Sequence, residues 1–498
     1  MVAVPYRNSS PSTQSVSLAQ ATTPREDQER RRRMRDAWEA YHGEFKPPLK
    51  IAADQPDDSV LSNRCCPIVD KGVSFLFGPV LKIEDTGGVG PVQDFLDGIW
   101  GDDDDKMSLL SQAAINGGVC GEVFLKLIPS QGKMRYPRIV VLNPSLVRIV
   151  TAPDDCSLTI AYVIEYSSSD GLQHRQIISR VDPDNMASIA GEYDLDDSWI
   201  IANYERKGQA GMWHSVGSVE EWLYPFAPIF CCQNLPNPNE AWGMPDLTSD
   251  LINMNKVLNF VQSNTSRIIK YHGHPITYAI GLGASQIQIG IDDLVCLPET
   301  VSKLEKLAAM ENFNGLIEFA SVIRSDMDEQ SRVPAVALGR LTDLPKGQIS
   351  GVALQLLFQP LLEKTTQKRR LYGRLIREIS KAALVCEGLI PLEQYEDYPI
   401  ELHWQDLLPI DDLQAAQTGV LLLQLGVSQS TVLQRLGYDP EVEGEKSTQQ
   451  AFVAQVAPAP SKVPAKPATD KQPQTATTST APTTVEVSNG RQTQQSDA

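Results

Sequence analysis

Leu247, Leu251, Met254, Leu258, Val261, Thr265 and Ile268 advance by four and three residues. This seven-residue apolar stripe predicts a helix beginning near Asp246 and roughly 39 Å long, suited to packing on a parallel or antiparallel neighbour. Asn253, Asn255, Asn259 and Asn264 lie off the stripe. Pro225, Pro228, Pro236, Pro238 and Pro245 punctuate the approach to it. Gly273, Gly281, Gly283, Gly290 and Pro298 then break the pattern, which fits a small β-containing insert over 273–313. A second helix is expected from about Asn314 to Gln330, bounded by Pro334. Ala335 to Gly347 reads as a loop. A long helix of about 55 Å follows from Ser350, an acceptable N-cap, to about Cys386. Its buried side is marked by Leu354, Leu357, Leu361, Leu371, Leu375, Ile379 and Ala382, and Pro360 should kink it or break it in two. Asp411–Leu425 and Ser428–Leu436 read as two shorter helices.

Upstream the period changes. Residues 107–116 read as helix, and strands dominate from Val123 to about Ser218. Leu158, Ile160, Tyr162, Ile164 and Tyr166 alternate as in a half-buried strand, and Ser167–Gly171 supplies a turn. Gln176–Val181, Ala187–Tyr193 and Ser198–Tyr204 are shorter candidates. Asp-, Gly- and Pro-rich gaps separate them, so a mainly antiparallel sheet is expected rather than repeated βαβ units. The class is α+β, in several domains.

The ends differ from this middle. Residues 1–24 are rich in Ser, Thr, Gln and Pro and are expected to be mobile, with no apolar segment of the kind a secretory signal needs. Residues 25–42 carry Arg30–Arg33 among Glu26, Asp27, Glu29, Asp36 and Glu39, with Met34, Trp38 and Tyr41 at helical spacing. The interleaved acids favour a solvated face of an amphipathic helix over a phosphate patch. From about Ala454 the chain has too few large apolar groups to offset chain entropy, and a disordered tail is expected.

A formal net charge of −18 argues against a general nucleic-acid coat, whose cations would neutralise phosphates. It does not exclude a protein that touches DNA without holding it, because an acidic lumen would keep a polyanion sliding. The longest apolar candidate for a membrane span, Gly419 to Val427, is about half the required length. Eight cysteines are too sparse for a disulfide scaffold, and thiols in a reducing compartment are the default.

No catalytic set assembles. Gly281-Leu282-Gly283 opens like a dinucleotide loop, but Gln286 stands where the third glycine belongs. Gly339 to Lys346 resembles a phosphate loop, yet Lys346 precedes Gly347, the wrong order for a Walker motif. His272 and His274 are two imidazoles without a third ligand. Cys65-Cys66 and Cys231-Cys232 are adjacent pairs and read as buried thiols. Asp102–Asp105 reads as a solvated acidic turn rather than a cation loop. No GxSxG, HExxH or kinase-like set occurs, so no catalytic residue, metal or cofactor is assigned.

Several segments, in order, resemble a tailed-bacteriophage portal protein of the stem-and-clip type. They are Trp38 to Gly43, Asn63-Arg64-Cys65-Cys66-Pro67-Ile68-Val69-Asp70, and Phe75 to Val80. Further on come Pro225–Ile229, Gln233-Asn234, Trp242-Gly243-Met244-Pro245-Asp246-Leu247, Asn253–Asn259 and Ser350–Leu354. The resemblance covers roughly residues 35–445.

It implies a sheet-containing wing over 25–245, stem helices at 246–271 and 314–331, and a clip over 272–313. It further implies a channel loop at 332–349, a long spine helix of the wing at 350–399 and a helical crown over 400–453. Residues 1–24 and 454–498 would lie outside as disordered ends. Such a protein closes into a ring, usually twelve-fold, at one capsid vertex of the virion after assembly in the host cytoplasm. Double-stranded DNA is packaged and ejected through it, and it docks the terminase large subunit, a head-completion or adaptor protein, the major capsid protein and a scaffolding protein. Neither a membrane nor an enzymatic activity of its own is implied. On this resemblance Gly339, Arg340, Asp343 and Lys346 belong to the DNA-channel loop, and Arg267 and Lys270 line the stem end. The alternatives are a DNA-processing enzyme of the packaging machinery (a nuclease or ATPase) and a capsid or tail accessory protein without a channel.

Overall fold

The period of apolar residues changes from two to about 3.6 near residue 245, and the architecture changes with it. The computed structural model describes residues 18, 20, 23–50, 57–130, 135–152, 155–180, 198–208, 211–273, 277–280, 295–297, 303–306, 314–340, 351–405, 407 and 412–435. Two compact units result, divided between Ile410 and Asp411.

The large unit opens with α1 (Arg25–His42), α2 (Cys65–Phe77), β1 (Lys82–Asp85), α3 (Gly90–Trp100) and α4 (Asp103–Cys120). Strands β2 (Glu122–Ile128), β3 (Arg138–Leu142), β4 (Val147–Thr151), β5 (Thr159–Ser167), β6 (Leu172–Ser179), β7 (Trp199–Lys207), β8 (His214–Ser215), β9 (Glu220–Trp222) and β10 (Ile229–Gln233) follow. One sheet has the order β4-β5-β6-β7-β8, with β9 on β7, and a second has the order β10-β2-β3. All these pairings are antiparallel, as expected.

Strand β5 departs from the expected half-buried form: Ile160 to Ile164 are all buried. Tyr162 and Ile164 enter the main core, while Ala161 and Val163 join a second cluster with Ile177, Ala202, Tyr204, Trp213 and Leu18. The covering residue, Leu18, comes from the segment expected to be mobile. Arg175 donates to its carbonyl, and Gln20 both donates to and accepts from the Trp213 backbone. The candidate strand Ala187–Tyr193 lies outside the described residues.

Helix α4 extends the expected 107–116 helix to both sides, because Asp102 caps it by accepting from the Asp105 amide at 2.9 Å. In α1 the buried line is Met34, Ala37 and Ala40, with Arg30 and Asp27. Arg30 and Arg31 are therefore not a solvated face: Arg30 pairs with Asp27 and stacks on Trp242, and Arg31 pairs with Asp27 and Glu165. Arg32 and Arg33 are exposed.

Beyond residue 245 come α5 (Ser249–Gly273), β11 (Thr277–Ile280), β12 (Val295–Leu297), β13 (Lys303–Lys306), α6 (Asn314–Ser331), α7 (Gly351–Cys386) and β14 (Ile400–His403). The insert between α5 and α6 contains β structure, in the order β12-β11-β13. Helix α7 is continuous through Pro360. Residues 400–403, at the start of the segment implied to be a crown, pair with β1 in the large unit. The second unit contains α8 (Asp412–Gln424) and α9 (Gln429–Arg435), the latter capped by Ser428, which accepts from the Thr431 amide. Among the described residues no helix is long and apolar enough to cross a membrane.

Candidate functional site

The apolar stripe of α5 finds the helix it needs. Leu251, Leu258 and Val261 share a core with Ala320, Ile323 and Met327 of α6, Phe358 and Leu361 of α7, and Ile68 of α2. The α5–α6 pair is rooted in the rest of the large unit through buried polar groups. Asp246, three residues before α5, has a fully buried side chain. Its two oxygens lie 2.8 Å from Lys364 Nζ and 2.5 Å from Lys368 Nζ. Lys364 also donates to the carbonyl of Ser331, the last residue of α6, at 2.9 Å. One turn of α7 thus holds the entry to α5 and the exit from α6 together. Asn234 extends the network by donating to Asp246 and accepting from the Tyr372 hydroxyl at 3.0 Å. The Asp246 and Leu247 amides both donate to the Gly118 carbonyl, and a Cβ at Gly118 would stand 3.1 Å from the Asp246 carboxylate.

Burial alone would raise the Asp246 carboxyl, but the two ammonium groups outweigh it and hold it well below the usual carboxylate range. Burial lowers the Lys368 ammonium to about 8, against the pull of Asp246. Two cations share one anion here. Removing that anion strands charge in the interior, which is far costlier than replacing the whole cluster by apolar groups.

The second feature is an extended strap, residues 58–64, running antiparallel along α5. The Val60 amide donates to Ser263 Oγ, and that hydroxyl donates back to the Val60 carbonyl. The Ser62 amide donates to Asn259 Oδ1 and the Arg64 amide to Asn255 Oδ1; Asn255 Nδ2 donates to the Ser62 carbonyl. The register has a simple cause. Two residues of extended chain advance about 6.6 Å and four residues of α-helix about 6.0 Å, so alternate strap residues meet every fourth helix position. Asn255, Asn259, Ser263 and Arg267 occupy those positions. Their step of four was visible in the sequence beside the apolar stripe, but a polar stripe reads as solvated until its partner is known.

Both ends of the strap carry ion pairs. At one end Asp58 accepts from Arg267 Nη2 at 2.6 Å and lies 3.7 Å from Lys270 Nζ. The hydrogen bond from Arg267 holds the Asp58 carboxyl below its ordinary range. At the other end Arg64 donates to Asp328 of α6 at 2.9 Å, and Arg340 pairs with the same carboxylate. The implied stem and loop cations Arg267, Lys270 and Arg340 therefore each face an acidic partner. Arg340 follows a short helical turn, Ala335–Leu338, that Gly339 ends at φ +82°. This turn occupies the start of the expected loop. Asp343 and Lys346 lie outside the described residues, as do Ser350, His274, the side chain of His272 and Gly281 to Gln286.

The remaining candidates offer no reactive geometry. Burial pushes the thiols of Cys65, Cys120 and Cys231 up to about 12, far from the thiolate that nucleophilic or metal chemistry requires. Burial raises Cys66 to about 11, and its thiol donates to Asp70. Asp102 is spent as a helix cap and Asp103 pairs with Lys106. Among the described residues no group of three or more His, Cys, Asp or Glu could hold a metal ion.

Residues 246–451 match the family model "Phage portal protein, SPP1 Gp6-like". The resemblance read from the sequence therefore holds, and the matched segment begins at Asp246, the root of α5. It contains the polar stripe of α5, Asp328, Arg340 and both root lysines; the strap that clamps it comes from outside the matched segment. No curated protein matches the chain. Among solved structures, the chain is similar to one in the virion of a native gene transfer agent particle, at 14% identity and a TM-score of 0.41, covering 84% of this chain and 96% of that one. It is similar to one in the neck of an empty gene transfer agent particle computed with C6 symmetry, at 13% identity and a TM-score of 0.43, covering 75% and 90%. A third, in the neck of a native particle computed with C12 symmetry, has 13% identity, a TM-score of 0.38 and the same coverages.

Proposed function

We propose that this protein is the portal of a tailed bacteriophage or phage-like particle. Copies form a closed ring, of twelve subunits, at one capsid vertex of the virion. Helices α5 and α6 border its channel, the β-containing insert is the clip that docks a head-completion protein, and the sheets form the wing. Duplex DNA passes through, driven by a separate terminase, and the ring performs no bond chemistry itself. Assembly takes place in the host cytoplasm, with the capsid and scaffolding proteins as further partners.

The observation that carries this reading is the outward surface of the helix pair. Val257, Phe260 and Ile269 of α5, and Ile317, Phe319 and Val322 of α6, are 46–58% exposed in the single chain. The same helices bury Leu251, Leu258, Ala320, Ile323 and Met327 on their inner side. Helices apolar on two sides need two sets of neighbours. A head-to-tail interface whose rotation closes supplies the second set from adjacent copies. The portal-family match over these helices gives that interface its context.

Sedimentation of the full chain and of Phe260→Asp with Val322→Asp tests the reading. Wild type is expected as a large, discrete oligomer, and the double variant as a folded monomer with unchanged circular dichroism. A wild-type chain that stays monomeric at high concentration would contradict it.

A further inference from the structure

The carboxylates at the two ends of the strap do more than hold it in place. Asp58 lies against both Arg267 and Lys270, and Asp328 lies between Arg64 and Arg340. These cations are accessible enough to meet a ligand: side-chain exposure is 24% for Arg267, 58% for Lys270 and 31% for Arg340. Each acid is held in place by its surroundings. The strap that carries Asp58 is clamped by the Asn255–Asn259–Ser263 ladder, and Asp328 sits on α6 with a side chain only 10% exposed. A fixed intramolecular carboxylate competes with a diffusing phosphate at high effective concentration.

We propose that Asp58 and Asp328 are charge masks that occupy Arg267, Lys270 and Arg340, so that duplex DNA beside α5 and α6 meets cations already neutralised. This rests on the reading of these helices as the border of a DNA channel. Phosphate binding gains its strength from released counterions, in proportion to the number of phosphates that protein cations neutralise. A cation paired within the chain contributes little to that count. In a ring the effect recurs in every subunit, so the difference between masked and unmasked cations separates a wall that lets DNA slide from one that holds it.

The test is binding of a fluorescent duplex to the assembled full-length protein across a salt series, read as anisotropy. Asp58→Asn is the main variant, because its pair is partly exposed and its loss leaves the core intact. It is expected to bind at least about ten-fold tighter at low salt. The slope of log K against log salt should steepen by about one or more. Asp328→Asn is expected to act in the same direction, and Arg267→Gln with Lys270→Gln should cancel the effect of Asp58→Asn. Unchanged affinity and slope in both single variants would overturn the proposal, as would tight binding that persists after the two cations are removed. Electron microscopy of the same preparations separates the two ideas. Absence of an annular particle rejects the portal reading, whereas intact rings with wild-type DNA binding reject the masks alone.

Discussion

The sheet β4–β8 and the helix pair α5–α6 are held by opposite means. The sheet is apolar on both faces: Tyr162, Ile164 and Ile178 point into the main core, and Ala161, Val163 and Ile177 into the cluster under Leu18 and Trp213. Within the chain the helix pair is held by one apolar seam and by directional polar contacts, the strap ladder on α5 and the Lys364–Asp246–Lys368 cluster at its root. Apolar burial tolerates small shifts because it is non-directional. Buried ions and amides hold one register or lose most of their stabilisation. A lever that must hold a set angle to its base suits the second kind of joint.

The sharpest way to break this contrast is Asp246→Ala. It leaves two buried ammonium groups without a carboxylate and is expected to cost about 3–5 kcal/mol in urea unfolding. Ile177→Val, in the sheet, should cost only about 0.5–1.5 kcal/mol. Replacing Asp246, Lys364 and Lys368 together by apolar residues should recover most of the loss, and failure to recover would show that packing rather than charge dominates the root.

A pH series compares two buried carboxylates. Asp246 is held down by its lysines. Glu122 is pushed from its ordinary 4.5 up to about 8 by burial, offset in part by the Gly243 amide and the charge of Arg30. Above 4.5 the unfolded chain has released this proton while the folded one retains it, so folding stability falls as pH rises to about 8 and levels off beyond. Glu122→Gln keeps an acceptor for Gly243, should flatten that slope, and should gain on the order of 1–3 kcal/mol at pH 8. An unchanged slope between these limits would remove Glu122 from the account.

The smallest expected effect is at the strap. Asn259→Ala deprives the Ser62 amide of its acceptor and should cost about 1 kcal/mol. Hydrogen exchange should rise at Ser62 but not at Ile177 of the sheet. Equal changes at both sites would mean that strap and sheet open as one unit.

The apolar patterns were legible in the sequence. The stripe from Leu247 to Ile268 predicted α5 and its need for a partner helix, the bounds of α6 were within a residue or two, and α7 ends where Gly388 suggested. The polar contacts were not legible. Asn255 and Asn259 were seen as off-stripe, but their partners lie about two hundred residues away in a segment without periodicity. Lys364 and Lys368 sit in a long helix rich in charge, where lysine ordinarily faces water. Asp246, fixed by the close approach at Gly118, and for Lys364 also the Ser331 carbonyl, make their burial tolerable. Helix α2 was missed as an element because Cys65–Phe77 is a short apolar run that periodicity alone does not separate from a strand. The alternation in β5 was read correctly as a strand but only half buried, since nothing in its own pattern announces Leu18 on the other face.

On the proposed reading, copies of this chain surround an opening bordered by α5 and α6. Cryo-electron microscopy of the purified assembly tests it most directly. The expected particle is a closed ring with α5 and α6 nearest the symmetry axis, Asp58 and Asp328 beside the lumen, and Phe260 and Val322 covered by adjacent subunits. A particle with these helices on its outer rim, or with no axis at all, would contradict it.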